Sequence, residues 1–302
     1  MYERISTPLM FRRGMNSILN LQTELANLQN KISTGNAFNS FIELRKENQI
    51  ESVFSFNSKL RKLDDFMRNN KLIENRLNAM ESAVGQILEV ASDMRSNLTL
   101  RRSPVGLSMK LAQIAKAALA AVSDQLNLEF ESRYLFSGSR TSAVPVGDIV
   151  NNSNTYDDLV TANYYKGDNN KMMAHVSDSL TLDYGVRANE EGFQELIASL
   201  HYMIKGDITN DDTKLNKAFE LLDGGIDKIV QIKSNIGNNL KAIGMINDQY
   251  DADKLYLEQI RGEIVSTDIA KTTTLLYANQ ANLQASYSTF SRLTQLSLNQ
   301  YL

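Results

Sequence analysis

The residues best suited to proton or metal chemistry are two histidines, His175 and His201, and two acidic pairs, Asp64-Asp65 and Asp211-Asp212. A histidine metal site usually places ligands close in sequence, often two on one helix face. These two histidines stand 26 positions apart, and read as surface or packing residues. Paired carboxylates can divide general acid and base work only when a cleft holds them at a reacting bond. Here Asp211-Asp212 lies at a helix start and Asp64-Asp65 on a solvated helix face. Arg101-Arg102 is a basic pair beside a turn, read as solvated, and Met172-Met173 reads as strand packing. No phosphate-cradling glycine loop, nucleophile elbow or Ser-His-Asp order is present. The chain has no cysteine, which removes thiol nucleophiles, disulfides and thiolate metal sites together. No catalytic, cofactor-binding or metal residue is assigned, no cofactor or small-molecule substrate is expected, and the sequence reads as a non-enzyme.

The 302 residues carry 42% hydrophobic and 22% charged side chains and a formal net charge of -3. Without clustered lysine and arginine to displace counterions, nucleic acid is not an expected partner. No stretch approaches the roughly 20 apolar residues of a membrane span. Residues 1–32 lack an apolar core segment and a small-residue cleavage site. The expectation is a chain that stays in the cytoplasm or leaves without a cleaved signal peptide.

Only three prolines interrupt the chain, which suits long helices. Ile18, Leu21, Leu25, Leu28 and Ile32 follow a 3-4-3-4 rhythm, a coiled-coil seam that Gly35 ends. A second seam runs Ile73, Leu77, Met80, Val84, Ile87, Ala91, Met94, Leu98. A third runs Leu107, Leu111, Ile114, Ala118, Ala121, Gln125, Leu128. With the Ser103-Pro104 turn between them, 43–101 and 104–132 are predicted to form an antiparallel helical hairpin. Residues 139–190 are rich in Ser, Thr, Asn, Asp and Gly, with strand-like runs at 164–166, 172–176 and 180–184 flanking a Gly167-Asp168-Asn169 turn. These predict a β-hairpin or small β insert. Helices resume at 193–204. Residues 209–212 read as the cap of a long helix with a seam through Ile243, Ile246, Tyr250, Asp253, Leu257, Ile260 and Ile264. A final helix is predicted over 267–301.

The predicted fold is mainly α: a long antiparallel helical bundle with paired N- and C-terminal coiled-coil helices and a small β insert in the middle. Its expected parts are 1–40 with 265–302, a helical body of 41–138 with 191–264, and the insert 139–190. Residues 265–302 hold only three charged side chains, Asp268, Lys271 and Arg292. Neutral polar faces enter contacts without the cost of desolvating charge. Two readings stay open: the ends order only when sister molecules pack around them, or they dock on the chain's own body.

Several stretches resemble flagellin-type axial proteins, in particular the hook-associated protein 3 family. They are Arg4-Ile5-Ser6-Thr7, Lys31-Ile32-Ser33-Thr34-Gly35, Arg133-Tyr134-Leu135-Phe136-Ser137-Gly138, Asp268-Ile269-Ala270-Lys271, Leu283-Gln284-Ala285-Ser286-Tyr287 and the 296–302 ending. After the Ser-Thr-Gly the family has a basic pair and an Asp-Asp-Pro turn, whereas this chain reads Asn36-Ala37-Phe38-Asn39-Ser40-Phe41-Ile42-Glu43. The resemblance implies an extracellular structural protein of the bacterial flagellum, joining hook to filament. Export would use the flagellar type III apparatus, with a chaperone on the C-terminal helix. Partners would be copies of itself in a helical ring, hook-associated protein 1 and flagellin. Carried onto this chain, the assembly surface falls on Ile18, Leu21, Leu25, Leu28, Ile32, Leu283, Tyr287, Phe290, Leu296 and Leu298. The other readings are a flagellin, a type III-secreted translocator and a cytoplasmic coiled-coil scaffold.

Overall fold

The computed structural model describes residues 7–40, 49–150 and 164–298, with side chains described except at 7, 8, 105, 107 and 293–298. The Arg4-Ile5-Ser6 opening, the 299–302 ending, Phe41-Ile42-Glu43 and the Leu107 side chain therefore lie outside the described residues. Six helices are described: α1 (Thr7–Thr34), α2 (Ile50–Arg101), α3 (Leu111–Leu126), α4 (Glu191–Thr209), α5 (Asp212–Val265) and α6 (Ile269–Leu298). Two small antiparallel strand pairs lie between α3 and α4: β1 (Glu129–Phe130) with β2 (Arg133–Tyr134), and β3 (Met173–His175) with β4 (Thr181–Asp183). The mainly helical fold with a small strand pair in mid-chain is the one the seams predict. Contacts divide the chain into two compact units, Met1–Leu63 with Ala252–Leu302, and Asp64–Asp251. Among the described residues no helix is long and apolar enough to cross a membrane.

In the 64–251 unit, every position of the 73–98 seam on α2 is buried. Its apolar side chains join those of α3, α4 and α5 in one core. The hairpin partner differs from its predicted bounds. A short 3-10 turn occupies Pro104–Ser108, and α3 begins only at Leu111. The cause is Gly106, whose backbone lies so close to the Leu100 carbonyl that a Cβ would collide with it. At its far end α3 stops at Leu126, and Glu131 and Ser132, at φ of 51° and 60°, turn β1 into β2. The buried stripe on α3 is Leu111, Ala115, Ala118, Leu119, Val122 and Leu126. Ile114, Ala121 and Gln125 of the predicted seam are half-buried. A 16-residue helix packed on α4 is too short for supercoiling to hold a 3.5-residue rhythm, and the ordinary 3.6 period prevails.

Arg101 corrects a second expectation, since it is buried rather than solvated. Its Nε donates to Asp207 Oδ1 at 2.8 Å and its Nη2 to Asn210 Oδ1 at 3.0 Å. Asp207 Oδ2 accepts the Ala112 N–H at 2.8 Å. One carboxylate thus ties the end of α2, the start of α3 and the end of α4. Arg102 stays exposed and lies 5.1 Å from the Phe219 ring centroid.

The β segment corrects a third. The β3–β4 hairpin turns at 176–180, where Val176 N–H donates to Leu180 O. The Gly-Asp-Asn stretch is instead recruited by the preceding loop: Asp168 accepts the Ser139 N–H at 2.8 Å and also the Ser139 hydroxyl. The Ser139 hydroxyl, then the backbone N–H groups, hold the Asp168 carboxyl below the usual carboxylate range. Tyr165 bridges to Val146 rather than entering a ladder, and burial pushes its phenol up to about 12. Val146, Ile149, Tyr164, Val176 and Tyr184 bury their side chains in the same core as the helices.

Asn210 takes the left-handed conformation that ends α4, with φ 49°. Asp211 then accepts the Thr213 and Lys214 N–H groups as the cap predicted for α5. The Lys214 side chain first, with these backbone bonds, holds its carboxyl below the ordinary range. Within the other unit, α1 and α6 pack antiparallel. Both break at the same level. Gly35, at φ 71°, ends α1, its carbonyl accepts the Thr267 N–H at 2.8 Å, and the Ala37 N–H donates to Val265 O at 2.7 Å. An antiparallel bridge joins Asn36 to Ser266.

Candidate assembly interface

The sequence places apolar residues along α1 with sparse charge: Arg12, Arg13, Glu24 and Lys31. Along α6 only Lys271 and Arg292 are charged. Such a pair of helices can join only through apolar and neutral polar contacts, and the structure shows both. The Phe11 and Phe290 rings meet edge to face with centroids 4.9 Å apart. Gly14 lets Phe290 lie against the α1 backbone, since a Cβ there would meet its ring at 3.2 Å. Gln22 Nε2 donates to the Tyr287 hydroxyl at 2.6 Å.

Ile18 is covered by the chain itself, at 5% exposure. Leu21, Leu25, Leu28, Ile32, Leu283 and Phe290 are half-buried, and Tyr287 is exposed. The side chains of Leu296 and Leu298 lie outside the described residues. The predicted set therefore falls chiefly on a partly covered face rather than on a free one. Sequence reasoning missed the flanks: Leu9, Met10, Met15 and Leu19 on α1 and Ile269, Leu275 and Tyr277 on α6 are all exposed. The signal was available in their size, but heptad spacing ranks positions by their fit to one partner and passes over those left for a second.

Between α1 and α6 runs an open groove of about 500 Å³, lined by Gly14, Ser17, Ile18 and Leu21 on one side and by Asn282, Ala285, Ser286, Thr289 and Phe290 on the other. Small and neutral side chains dominate its walls, a lining that admits another helix at close range without desolvating charge. His175 is exposed, its Nδ1 lying 2.7 Å from the Thr181 hydroxyl, while His201 is buried in α4. Among the described residues no group of three His, Asp or Glu is placed to hold a metal ion.

This architecture, a helical body with N- and C-terminal helices paired side by side, has counterparts among known proteins. Residues 5–141 match the model of the bacterial flagellin N-terminal helical region. That stretch, a little under half of the chain, is similar to the flagellin N-terminal region. Two solved structures share the fold. A putative flagellar hook-associated protein from Vibrio parahaemolyticus superposes with a TM-score of 0.60 at 13% identity, covering 71% of this chain and 96% of that one. Bacillus cereus FlgL superposes with a TM-score of 0.52 at 14% identity, covering 65% of this chain and 98% of that one. No curated protein sequence matches the chain significantly. The flagellin-type stretch spans α1, α2 and α3, so it includes one wall of the groove and the complete 73–98 seam.

Proposed function

We propose that this flagellin-type chain is the structural junction between the flagellar hook and the filament, assembling through its terminal helices in the extracellular flagellum. The single observation that carries this reading is the α1–α6 pair, which holds itself together yet leaves apolar flanks and an open, nearly uncharged groove. A helix pair at that stage of burial gains most from neighbours of the same kind. The two solved structures that share the fold, a putative flagellar hook-associated protein and FlgL, support placing the chain at the junction rather than along the filament.

In this reading the helices of 1–40 and 265–302 carry the contacts between copies, 41–138 with 191–264 is the helical body, and 139–190 is its insert. Copies of the chain form a helical ring, with hook-associated protein 1 on the hook side and flagellin on the filament side. The chain is exported by the flagellar type III apparatus without a cleaved signal peptide, and a chaperone holds its C-terminal helix until then. The test is deletion of the gene followed by electron microscopy. Cells should build hooks, lack filaments and release flagellin monomers; normal filaments on the deletion strain overturn the reading.

The family match at residues 5–141 favours a second reading, a flagellin. Purified flagellin polymerises alone into long filaments. A junction protein stops at short assemblies, and sedimentation of the purified chain separates the two.

A further inference from the structure

With no cysteine, the redox-active sulfur of this chain is methionine sulfur, and the described methionines differ widely in exposure. Met80, Met94 and Met203 are sealed in the core, at 2%, 2% and 0% exposure. Met10 and Met15 stand open on α1, at 48% and 47%. Along the helix they bracket Phe11 and Gly14, the two positions that meet Phe290. Met173 and Met245 are also exposed but lie in the 64–251 unit, away from the helix pair's sequence.

A thioether is apolar and polarisable, and suits an adaptable packing surface. A peroxide transfers one oxygen atom to it in a two-electron step: a sulfur lone pair attacks the peroxide oxygen, the O–O bond breaks, and the sulfur leaves as sulfoxide while the peroxide is reduced to water. The product carries a strongly polar S=O group. On a helix with four charged side chains, whose contacts depend on apolar burial, that group would enter the next interface without a designed donor.

We propose that Met10 and Met15 are oxidative modification sites of the free chain, and that sulfoxide at either position blocks packing of the terminal helix pair against neighbouring copies. The proposal rests on the assembly reading above. It makes α1 vulnerable only before assembly, because neighbours that cover the flanks also exclude the oxidant. Methionine sulfoxide reductases would reverse the change.

The test titrates the purified full-length chain with hydrogen peroxide, maps sulfoxide by peptide mass spectrometry, and adds the protein to hook-bearing cells of the deletion strain to score restored filaments. Met10 and Met15 should oxidise at least about tenfold faster than Met80, Met94 and Met203, following their exposure. The ratio of treated to untreated activity should fall at least about tenfold for the native chain, and stay within about twofold for Met10→Leu/Met15→Leu, which still carries Met173 and Met245. Reductase treatment of the oxidised native chain should restore filaments. Equal rates at exposed and buried methionines, or full activity with Met10 and Met15 fully oxidised, would overturn the proposal. Failure of the untreated native chain to restore any filament would instead bring down the assembly reading, and this proposal with it.

Discussion

The 73–98 stretch of α2 and the terminal helices α1 and α6 follow similar apolar rhythms and end in different states. Every seam position of α2 is buried, while on α1 only Ile18 of its five seam residues is. The difference lies in the number of neighbours. In the 64–251 unit α2, α3, α4 and α5 all contribute to one core, so a side chain leaving α2 meets apolar surface from several directions. In the terminal pair each helix has the other, and an antiparallel partner covers one stripe only. Charge reinforces the contrast. The body buries Arg101 against Asp207, whereas the terminal pair carries few charges to satisfy. A seam in the body is therefore a finished core, and a seam at the ends is half of one.

Four measurements can break or sharpen that contrast. The largest effect belongs to Asp207→Ala, which strands the buried Arg101 guanidinium and the Ala112 N–H; it should cost about 3–5 kcal/mol in urea unfolding of the body. A loss below about 1 kcal/mol would show that the Arg101–Asp207 tie is worth no more than an exposed ion pair. Next, Leu126→Ala in the core should cost about 2–5 kcal/mol, while Leu28→Ala, half-buried on α1, should cost about 1 kcal/mol in the monomer. Equal losses would mean that the terminal pair is already a complete core. The Leu28 variant should show its larger deficit in restoring filaments.

The third test is confined to alkaline pH. The Tyr165 phenol has its folded pKa raised to about 12 from 10.0, chiefly by burial and then by Asp168. A raised value favours the protonated form in the folded state. This stabilisation is whole below pH 10 and is lost as pH rises towards 12. Tyr165→Phe should flatten that decline in pH-dependent unfolding, and an unchanged slope would deny the phenol its buried setting. The smallest effect is Tyr287→Phe, which removes the hydroxyl that accepts from Gln22 at 2.6 Å. A partly exposed neutral bond is worth about 0.5–1 kcal/mol, read as a small shift in melting of the terminal pair.

Much of the fold is legible from residue spacing. The eight-residue seam from Ile73 to Leu98 appears in the structure position for position, because an unbroken heptad rhythm over that length fits one helix geometry. The stop at Gly35 and the Asp211 cap are local backbone chemistry and could be read locally, whereas α4 runs from Glu191 to Thr209, past its predicted bounds of 193–204. The α3 stripe could not, because its 3.5 and 3.6 readings diverge only once the packing partner is known. Nor could the Gly167-Asp168-Asn169 stretch, whose turn signal is real but whose carboxylate is claimed by Ser139, 29 positions earlier. At the candidate interface, spacing marked the covered face of α1 and left out Leu9, Met10, Met15 and Leu19 on its flanks.

By itself the sequence determined that the chain is mainly helical, that its ends form matched and nearly uncharged helices, and where most helices stop, since periodicity, charge and capping act within a few residues. Only the tertiary structure decided that Arg101 would be a buried tie rather than a surface charge, and how much of each apolar stripe stays open. Burial depends on what the rest of the chain brings alongside, and no local pattern records that.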